Sequence, residues 1–476
     1  MQFPTLEFAT FFAVTASISW LIRRRRVYQK AWLLVASYVF YAGWNWQVLG
    51  LILLATLLNF GAGEGLTRVR SLAGKRAWLA FSLVANLGLL GTFKYFNFFS
   101  ESFGDLASIF GLSAHLPILQ LVLPAGISFY TFQNIAYCVD LYRGTGLKAA
   151  NLLDFALFTA FFPKLVAGPI CRSRDLLPQF EADAPNAVPD VGRAASLILS
   201  GLFKKAVLAT FLDTHCVSAV FGTPENYSSV ALWVAMVAYT IQIYADVSGY
   251  IDLARGLGLL LGIYIPENFN HPYASTNSGE YWRRWHITLS SWLRDYIYFP
   301  LGGSRRGNWR TYFNLLLTML VCGFWHGADW KFVMWGAIHG VALALYRMGL
   351  DFKRWRGLDM KQPDPPWHLA LSWLYTMAMV CFARVFFRAE NVGAAWAYIG
   401  RMLSPSAAGT GFELLVLPAI AIGFLINFWG PDLRRWFIGT SERLPFAARP
   451  VLWFATGMLI LALKPSGIAP YIYFKF

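Results

Sequence analysis

The chain has 476 residues, 57% of them hydrophobic and only 14% charged, with a mean hydropathy of +0.47. A soluble globular protein carries roughly 25% charged residues, so burial in one water-facing core is excluded over this length. The net charge of +15 is spread along loops, with no compact basic region to grip a nucleic-acid duplex, which leaves basic residues as markers of loop sides in a membrane protein.

The apolar runs of about 20 residues fit an all-α polytopic transmembrane bundle, whereas the strands of a barrel would alternate. Leu6 to Ile22 is the first expected span, and Arg23 to Arg26 anchor its end in the cytoplasm, with the N-terminus outside. That charge follows the apolar run instead of preceding it, and no small-residue cleavage site is evident, so a retained helix is expected in place of a secretory signal. Ala31 to Trp46 and Val48 to Phe60 are two short spans joined at Trp44-Asn45-Trp46, and Arg68, Arg70, Lys75 and Arg76 return the chain to the cytoplasm. Trp78 to Thr92 leaves again, followed by an aromatic stretch from Lys94 to Phe99. Leu121 to Val139 comes back, interrupted early by Pro124-Ala125-Gly126.

Phe155 to Val166 is too short to span, contains Pro163-Lys164 and runs into Ala167-Gly168-Pro169-Ile170, which predicts a re-entrant or interfacial piece. Ala194 to Phe221 is helical and carries Lys204-Lys205. Val230 to Ile243 and Leu257 to Ile263 are apolar runs on either side of a more polar segment that includes Tyr244 to Tyr250. Residues 278–310 are the most polar long stretch. Trp282, Trp285, Leu289, Trp292 and Tyr296 recur there at steps of three and four, predicting one amphipathic helix lying in an interface, on the cytoplasmic face marked by Arg294, Arg305, Arg306 and Arg310. Later spans are Tyr312 to Phe324, Phe332 to Tyr346, Leu369 to Val385, Leu414 to Phe428 and Val451 to Leu463. Arg434, Arg435, Arg443 and Arg449 precede the last and put the C-terminus outside. The pattern reads as one integral membrane domain over residues 1–476, with about eleven spans plus re-entrant and interfacial helices, and without an internal repeat.

Two histidines in tryptophan-rich surroundings carry the chemistry. His286 ends Tyr281-Trp282-Arg283-Arg284-Trp285-His286, and His326 lies in Gly323-Phe324-Trp325-His326-Gly327-Ala328-Asp329-Trp330. An ionisable ring at membrane depth is a functional-site candidate by default. His326 reads either as a general base that deprotonates an acceptor hydroxyl or thiol, or as a histidine bonded to a neighbouring helix; Gly323 and Gly327 permit close approach of backbone or ligand. His286 either positions a substrate or assists His326, or is an interfacial histidine among arginines. His339 lies thirteen residues beyond His326, which on one straight helix is roughly 20 Å, too far to share a reacting atom.

Asp246 either orients a substrate or a histidine, or pairs with Arg255 or caps a broken helix, the structural role being preferred. Lys164 either meets a phosphate of a nucleotide-like donor or snorkels. No GxSxG, Walker or dinucleotide motif is present, which removes support for hydrolase, ATPase and dehydrogenase readings. Metal ligation by the two histidines lacks a neighbouring cysteine or carboxylate at ligand spacing. The five scattered cysteines, Cys138, Cys171, Cys216, Cys322 and Cys381, read as buried free thiols.

The run from Glu280 to Gly303, containing Trp282-Arg283-Arg284-Trp285-His286, resembles the signature of the membrane-bound O-acyltransferase family, and more narrowly its bacterial alginate O-acetylase branch. Phe162 to Ile170, Tyr244 to Tyr250 and Gly323 to Trp330 match in the same order, covering most of the chain from about residue 120 to 340. The resemblance implies acyl transfer across a bacterial inner membrane, with His326 at the family's catalytic histidine and His286 at its second motif position. Trp325, Trp285, Arg283, Asp246 and Lys164 would bind substrate or support the site. It implies acetyl-CoA as cytoplasmic donor, with no bound cofactor or metal. It also implies a periplasmic or membrane-anchored glycan acetyltransferase as partner, polysaccharide as indirect acceptor, membrane lipids around the chain, and no nucleic acid. D-alanyl transfer and acetylation of cellulose or peptidoglycan are alternatives, and a non-covalent transporter is the reading from another class. The aromatic tail Tyr471 to Phe476 resembles that of this branch, so Tyr473 is either a transient acyl carrier or an interfacial anchor.

Overall fold

A computed structural model describes residues 3–112, 117–182, 190–358, 364–405, 408–465, 467 and 471–472. Its elements are helices; among the described residues the extended backbone pairs only at an isolated bridge between Tyr227 and Thr410. Among the described residues seven helices are long and apolar enough to cross a membrane, and Leu6–Leu21 and Ala448–Ala462 are shorter apolar helices. The chain packs as two compact units, Met1–Ile198 with Tyr250–Pro266, and Leu199–Gly249 with Glu267–Phe476.

The first unit contains α1 (Leu6–Leu21), α2 (Arg26–Ala42), α3 (Leu49–Arg68), α4 (Leu72–Ile109), α5 (Ile127–Arg143), α6 (Leu152–Ala160), α7 (Phe162–Leu165) and α8 (Ser173–Glu181). In place of a hydrophobic driving force in lipid, polar side chains join its helices. Asn59 of α3 accepts from Ser82 Oγ at 2.8 Å and Asn86 Nδ2 at 2.7 Å, both on α4. Lys30 of α2 pairs with Asp154 of α6 at 2.5 Å. The span expected from Leu121 begins as α5 only at Ile127, because Gly126 sits at φ +77 and a Cβ there would lie 2.6 Å from the Leu165 carbonyl oxygen. The breaker therefore starts the helix instead of interrupting it.

Two long helices contribute to both units: α9 (Val191–Gly222), which contains the π-helical turns Phe203–Ala209 and Asp213–Val217, and α10 (Ser229–Leu260). The two apolar runs expected around Tyr244 to Tyr250 form this one unbroken α10. Its polar residues are partnered from α9: Lys204 donates to Ser248 at 3.3 Å, Lys205 pairs with Asp246, and Gln242 donates to Asp213 at 2.9 Å. With those groups satisfied, the polar segment has no reason to leave the helix.

The second unit continues with α11 (Ser278–Arg284), α12 (Ile287–Leu293), α13 (Asn308–His326), α14 (Trp330–Trp355), α15 (Pro366–Arg388), α16 (Val392–Met402), α17 (Val416–Glu442) and α18 (Ala448–Ala462). The single amphipathic helix expected from residue 278 is not formed. α11 stops at Trp285, which is extended at φ −95 and ψ 128, and α12 starts after His286. The expected stripe is buried in protein: Trp282, Trp285, Leu289, Trp292 and Tyr296 are all 9% exposed or less.

α13 and α14 form a hairpin through Gly327-Ala328-Asp329, and Asp329 caps α14 by accepting from the Lys331 N–H at 2.9 Å. Their backbones touch at glycines. A Cβ at Gly323 would lie 2.1 Å from the Phe332 carbonyl oxygen, one at Gly336 2.4 Å from the Met319 oxygen, and one at Gly340 3.0 Å from Leu316 Cα. The Gly336→Val protein should unfold in detergent with a loss of about 1–3 kcal/mol from overpacking. Gly349→Ala, on the same helix with nothing within 4 Å, should be neutral or gain up to about 1 kcal/mol. Equal thermal midpoints for the two variants would contradict this packing.

Candidate active site

The hairpin sets the place of His326. It is the last residue of α13 and 4% exposed. Its ring meets Trp335 of α14 at 4.9 Å and 87°, Phe387 of α15 at 5.1 Å and 75°, and the adjoining Trp325 at 4.9 Å. Trp325, 2% exposed, also meets the His286 ring at 6.1 Å. The structure thus brings the two sequence-predicted histidines against one indole.

His286 is 1% exposed and occupies the break between α11 and α12, with φ 44 and ψ 56. Left-handed backbone is uncommon outside glycine and marks a position held by its surroundings. Asn268, fully buried, does the holding: its backbone oxygen accepts the Ile287 N–H at 2.9 Å, its side-chain oxygen accepts the Thr288 N–H and Oγ1–H at 2.9 Å each, and its Nδ2 lies 3.3 Å from His286 Nδ1. Burial pushes the imidazolium form of His286 down, to about 3, against a smaller upward pull from a hydrogen bond to its own backbone. The ring is neutral at working pH.

Arg384 is a site residue absent from the sequence reading. It is 1% exposed on α15, donates to Tyr281 Oη at 3.1 Å, and holds its guanidinium 4.6 Å over Trp285, 5.5 Å over Phe387 and 5.9 Å over Trp335. A buried cation over three aromatic faces gains quadrupole attraction that water does not dilute. The signal was available: a lone arginine inside an apolar run is a functional candidate by the same rule that picked the histidines. Trp285, the expected supporting residue, stacks on Tyr281 at 5.7 Å and 13° beneath that guanidinium.

His339 also belongs here, which corrects the straight-helix estimate. The hairpin reverses the chain, so the ring that meets His326, Trp335, meets His339 at 4.6 Å on its other contact. His339 is fully buried, stacks on Tyr281 at 5.9 Å, and among the described residues neither ring nitrogen has a hydrogen-bond partner.

The remaining expected residues lie elsewhere. Arg283 is exposed, on the outer side of α11 from Tyr281 and Trp282, which are buried. Asp246 touches neither histidine. It pairs with Lys205, not Arg255, and accepts the Ile472 N–H at 2.8 Å, while Lys205 lies 5.6 Å over the Tyr471 ring. It caps no helix end, because α10 runs through it. Lys164 belongs to the first unit and does not snorkel: it is 3% exposed and donates to Gln133 Oε1 at 2.6 Å and to the Thr159 carbonyl at 3.4 Å. Tyr473 lies outside the described residues. All five cysteines are buried and free, as the scattered spacing implied. Among the described residues no three His, Cys, Asp or Glu side chains gather as a metal site.

Comparison with known proteins bears on this cluster. Residues 146–384 match the model of the membrane-bound O-acyltransferase family, a stretch that runs from before Asn268 to Arg384. The chain is 41% identical to the probable alginate O-acetylase of Pseudomonas putida over 94% of its own length and 95% of the relative's. It is 37% identical to the peptidoglycan O-acetyltransferase of Helicobacter pylori over 78% and 72% of the two chains, and 28% identical to the teichoic acid D-alanyltransferase of Bacillus subtilis over 57% and 70%.

The Asp246 pair yields a stability test. Asp246→Ala leaves the Lys205 ammonium buried without its carboxylate and should cost about 3–5 kcal/mol; adding Lys205→Met should recover most of that loss. Unfolding in detergent reads both. If the double variant is as unstable as the single one, the charge pair is not what the carboxylate serves.

Proposed function

The chain belongs to the membrane-bound O-acyltransferase family and is a multi-pass membrane O-acyltransferase; from that premise we propose that it takes an acetyl group from cytoplasmic acetyl-CoA and passes it across the inner membrane for O-acetylation of an exopolysaccharide such as alginate. The observation that carries this reading is His326, buried against Trp335 and Phe387 and sharing the Trp325 indole with His286. A dry aromatic setting protects an activated thioester from water, and a neutral imidazole is suited to accept a proton.

In the proposed reaction the acceptor hydroxyl gives its proton to the His326 ring as its oxygen attacks the thioester carbonyl carbon. The tetrahedral intermediate collapses by breaking the carbon–sulfur bond. The thiolate leaves and regains a proton from the imidazolium, so the products are an oxygen ester and a free thiol. His286 assists at the carbonyl, with Trp325 against both histidines and Arg384 over Trp285 as the surrounding wall. The donor approaches from the cytoplasmic side near residues 278–310.

Both termini face the periplasm in this proposal, where a membrane-anchored or periplasmic acetyltransferase collects the group and delivers it to the polysaccharide. Tyr473 is proposed as a transient carrier through a phenol ester. The Asp246 bond to Ile472 supports this by fixing the residue just before it. Transfer of D-alanyl groups is the second reading, supported by the likeness to the Bacillus enzyme.

Labelled acetyl-CoA supplied to membranes should label glycan in the wild type, and His326→Ala should lower that labelling by about 100-fold or more, the ordinary contribution of a general base. Unchanged labelling in a folded His326→Ala protein would favour transport without covalent chemistry. Labelling that requires an acylated carrier protein in place of acetyl-CoA would favour D-alanyl transfer. Separately, Tyr473→Phe removes the hydroxyl that would take the acyl group, so it should abolish thioester consumption and glycan acetylation together; undiminished acetylation leaves the tail as an anchor only.

A further inference from the structure

We propose that Asn268 is a positioning residue that fixes His286 in the Nε2–H tautomer, making the second histidine a hydrogen-bond donor toward the reacting carbonyl and leaving proton transfer to His326. This rests on the acyl-transfer reading above and deepens it by dividing labour between the two rings.

The tautomer follows from which atoms can only donate. The Thr288 backbone N–H can only donate, and the Asn268 atom it meets at 2.9 Å is therefore the amide oxygen, Oδ1. Thr288 Oγ1 donates to the same oxygen at 2.9 Å. The orientation of the amide is thus set by a main-chain group and is not a matter of a free flip. Its other end is the NH2, which can only donate, and it lies 3.3 Å from His286 Nδ1. That contact is a hydrogen bond only if Nδ1 is unprotonated, and a neutral imidazole that accepts at Nδ1 carries its proton at Nε2. One feature pulls the other way: a hydrogen bond from the His286 ring to its own backbone would hold the proton at Nδ1 and set two donors against each other.

The surroundings are built to keep this arrangement. Asn268 is fully buried. Its backbone oxygen accepts the Ile287 N–H, and the Asn270 N–H donates to the Arg284 carbonyl, both at 2.9 Å. The segment 268–270 therefore splices the end of α11 to the start of α12, and the His286 backbone between them stays left-handed. The same residue that closes the break also sets the ring's proton. A neutral Nε2–H aimed at a developing oxyanion does work that a second base beside His326 could not, because two bases would compete for one proton while the carbonyl oxygen went unstabilised.

Full-length Asn268→Asp tests this directly. A carboxylate still accepts from Thr288 N–H and Oγ1, and aspartate closes such breaks as well as asparagine, but its second oxygen cannot donate. It should draw the His286 proton to Nδ1. The new carboxylate is buried without a cation, so the variant should lose some stability; measured on folded protein of wild-type chromatographic profile, kcat with labelled acetyl-CoA should fall about 100-fold, the scale of losing one oxyanion donor, with KM for the donor little changed. Should the variant fail to fold, His286→Gln and His286→Asn decide with Asn268 intact. Glutamine places an N–H near Nε2 and asparagine near Nδ1, so His286→Gln should turn over at least about tenfold faster. Asparagine tolerates left-handed backbone better, so a merely structural role predicts the opposite order. Wild-type turnover in Asn268→Asp, or His286→Asn faster than His286→Gln, overturns the inference. If His326→Ala is also fully active, it is the acyl-transfer reading that has failed.

Discussion

The glycine contact between α13 and α14 is the constraint from which the site descends. Gly323, Gly336 and Gly340 let two backbones meet where any side chain would force them apart. That closeness places Trp335 on the His326 ring and, through Phe332 and Trp335, brings Phe387 of α15 into the same cluster. A helix pair held farther apart would leave the histidine facing a gap with no walls. Small residues at such crossings are the usual means of close packing in lipid, where apolar surface alone drives nothing together.

Around that contact the second unit buries an unusual density of polar function in aromatic surroundings. Two histidines meet Trp325, a third lies against Trp335, and a guanidinium rests on Trp285. Each buried polar group costs free energy unless it is partnered, and the partners are specific: Asn268 for His286, Tyr281 for Arg384, Lys205 for Asp246. Among the described residues His339 has no hydrogen-bonding partner at either nitrogen, and the rings of Tyr281, Trp282 and Trp335 pack against it. An interior of this kind is expensive to maintain for structure and suited to chemistry that water would spoil.

Much of this was legible from residues alone. The helices follow the apolar runs and their basic flanks, and the two tryptophan-rich histidine segments do meet. The misses have physical causes. The stripe from Trp282 to Tyr296 keeps helical spacing across the His286 break, so periodicity could not reveal it; the group that makes the break, Asn268, is supplied by a loop upstream. The hairpin at Gly327-Ala328-Asp329 turned a separation along one helix into a shared contact. Asp246 stays in helix because its partner, Lys205, lies on another element. Arg384 was hidden inside a span whose apolar neighbours outweighed one charge, although that charge was the informative residue.

The central claim is that the acyl group is transferred beside His326 and His286, the two rings that meet Trp325. A structure with a bound thioether analogue of the acyl donor, which cannot release its group, tests it most directly. The account predicts the carbonyl carbon beside the His326 ring, with its oxygen toward His286 Nε2. An analogue seated away from both rings, or His326 turned out to lipid in the complex, would contradict it.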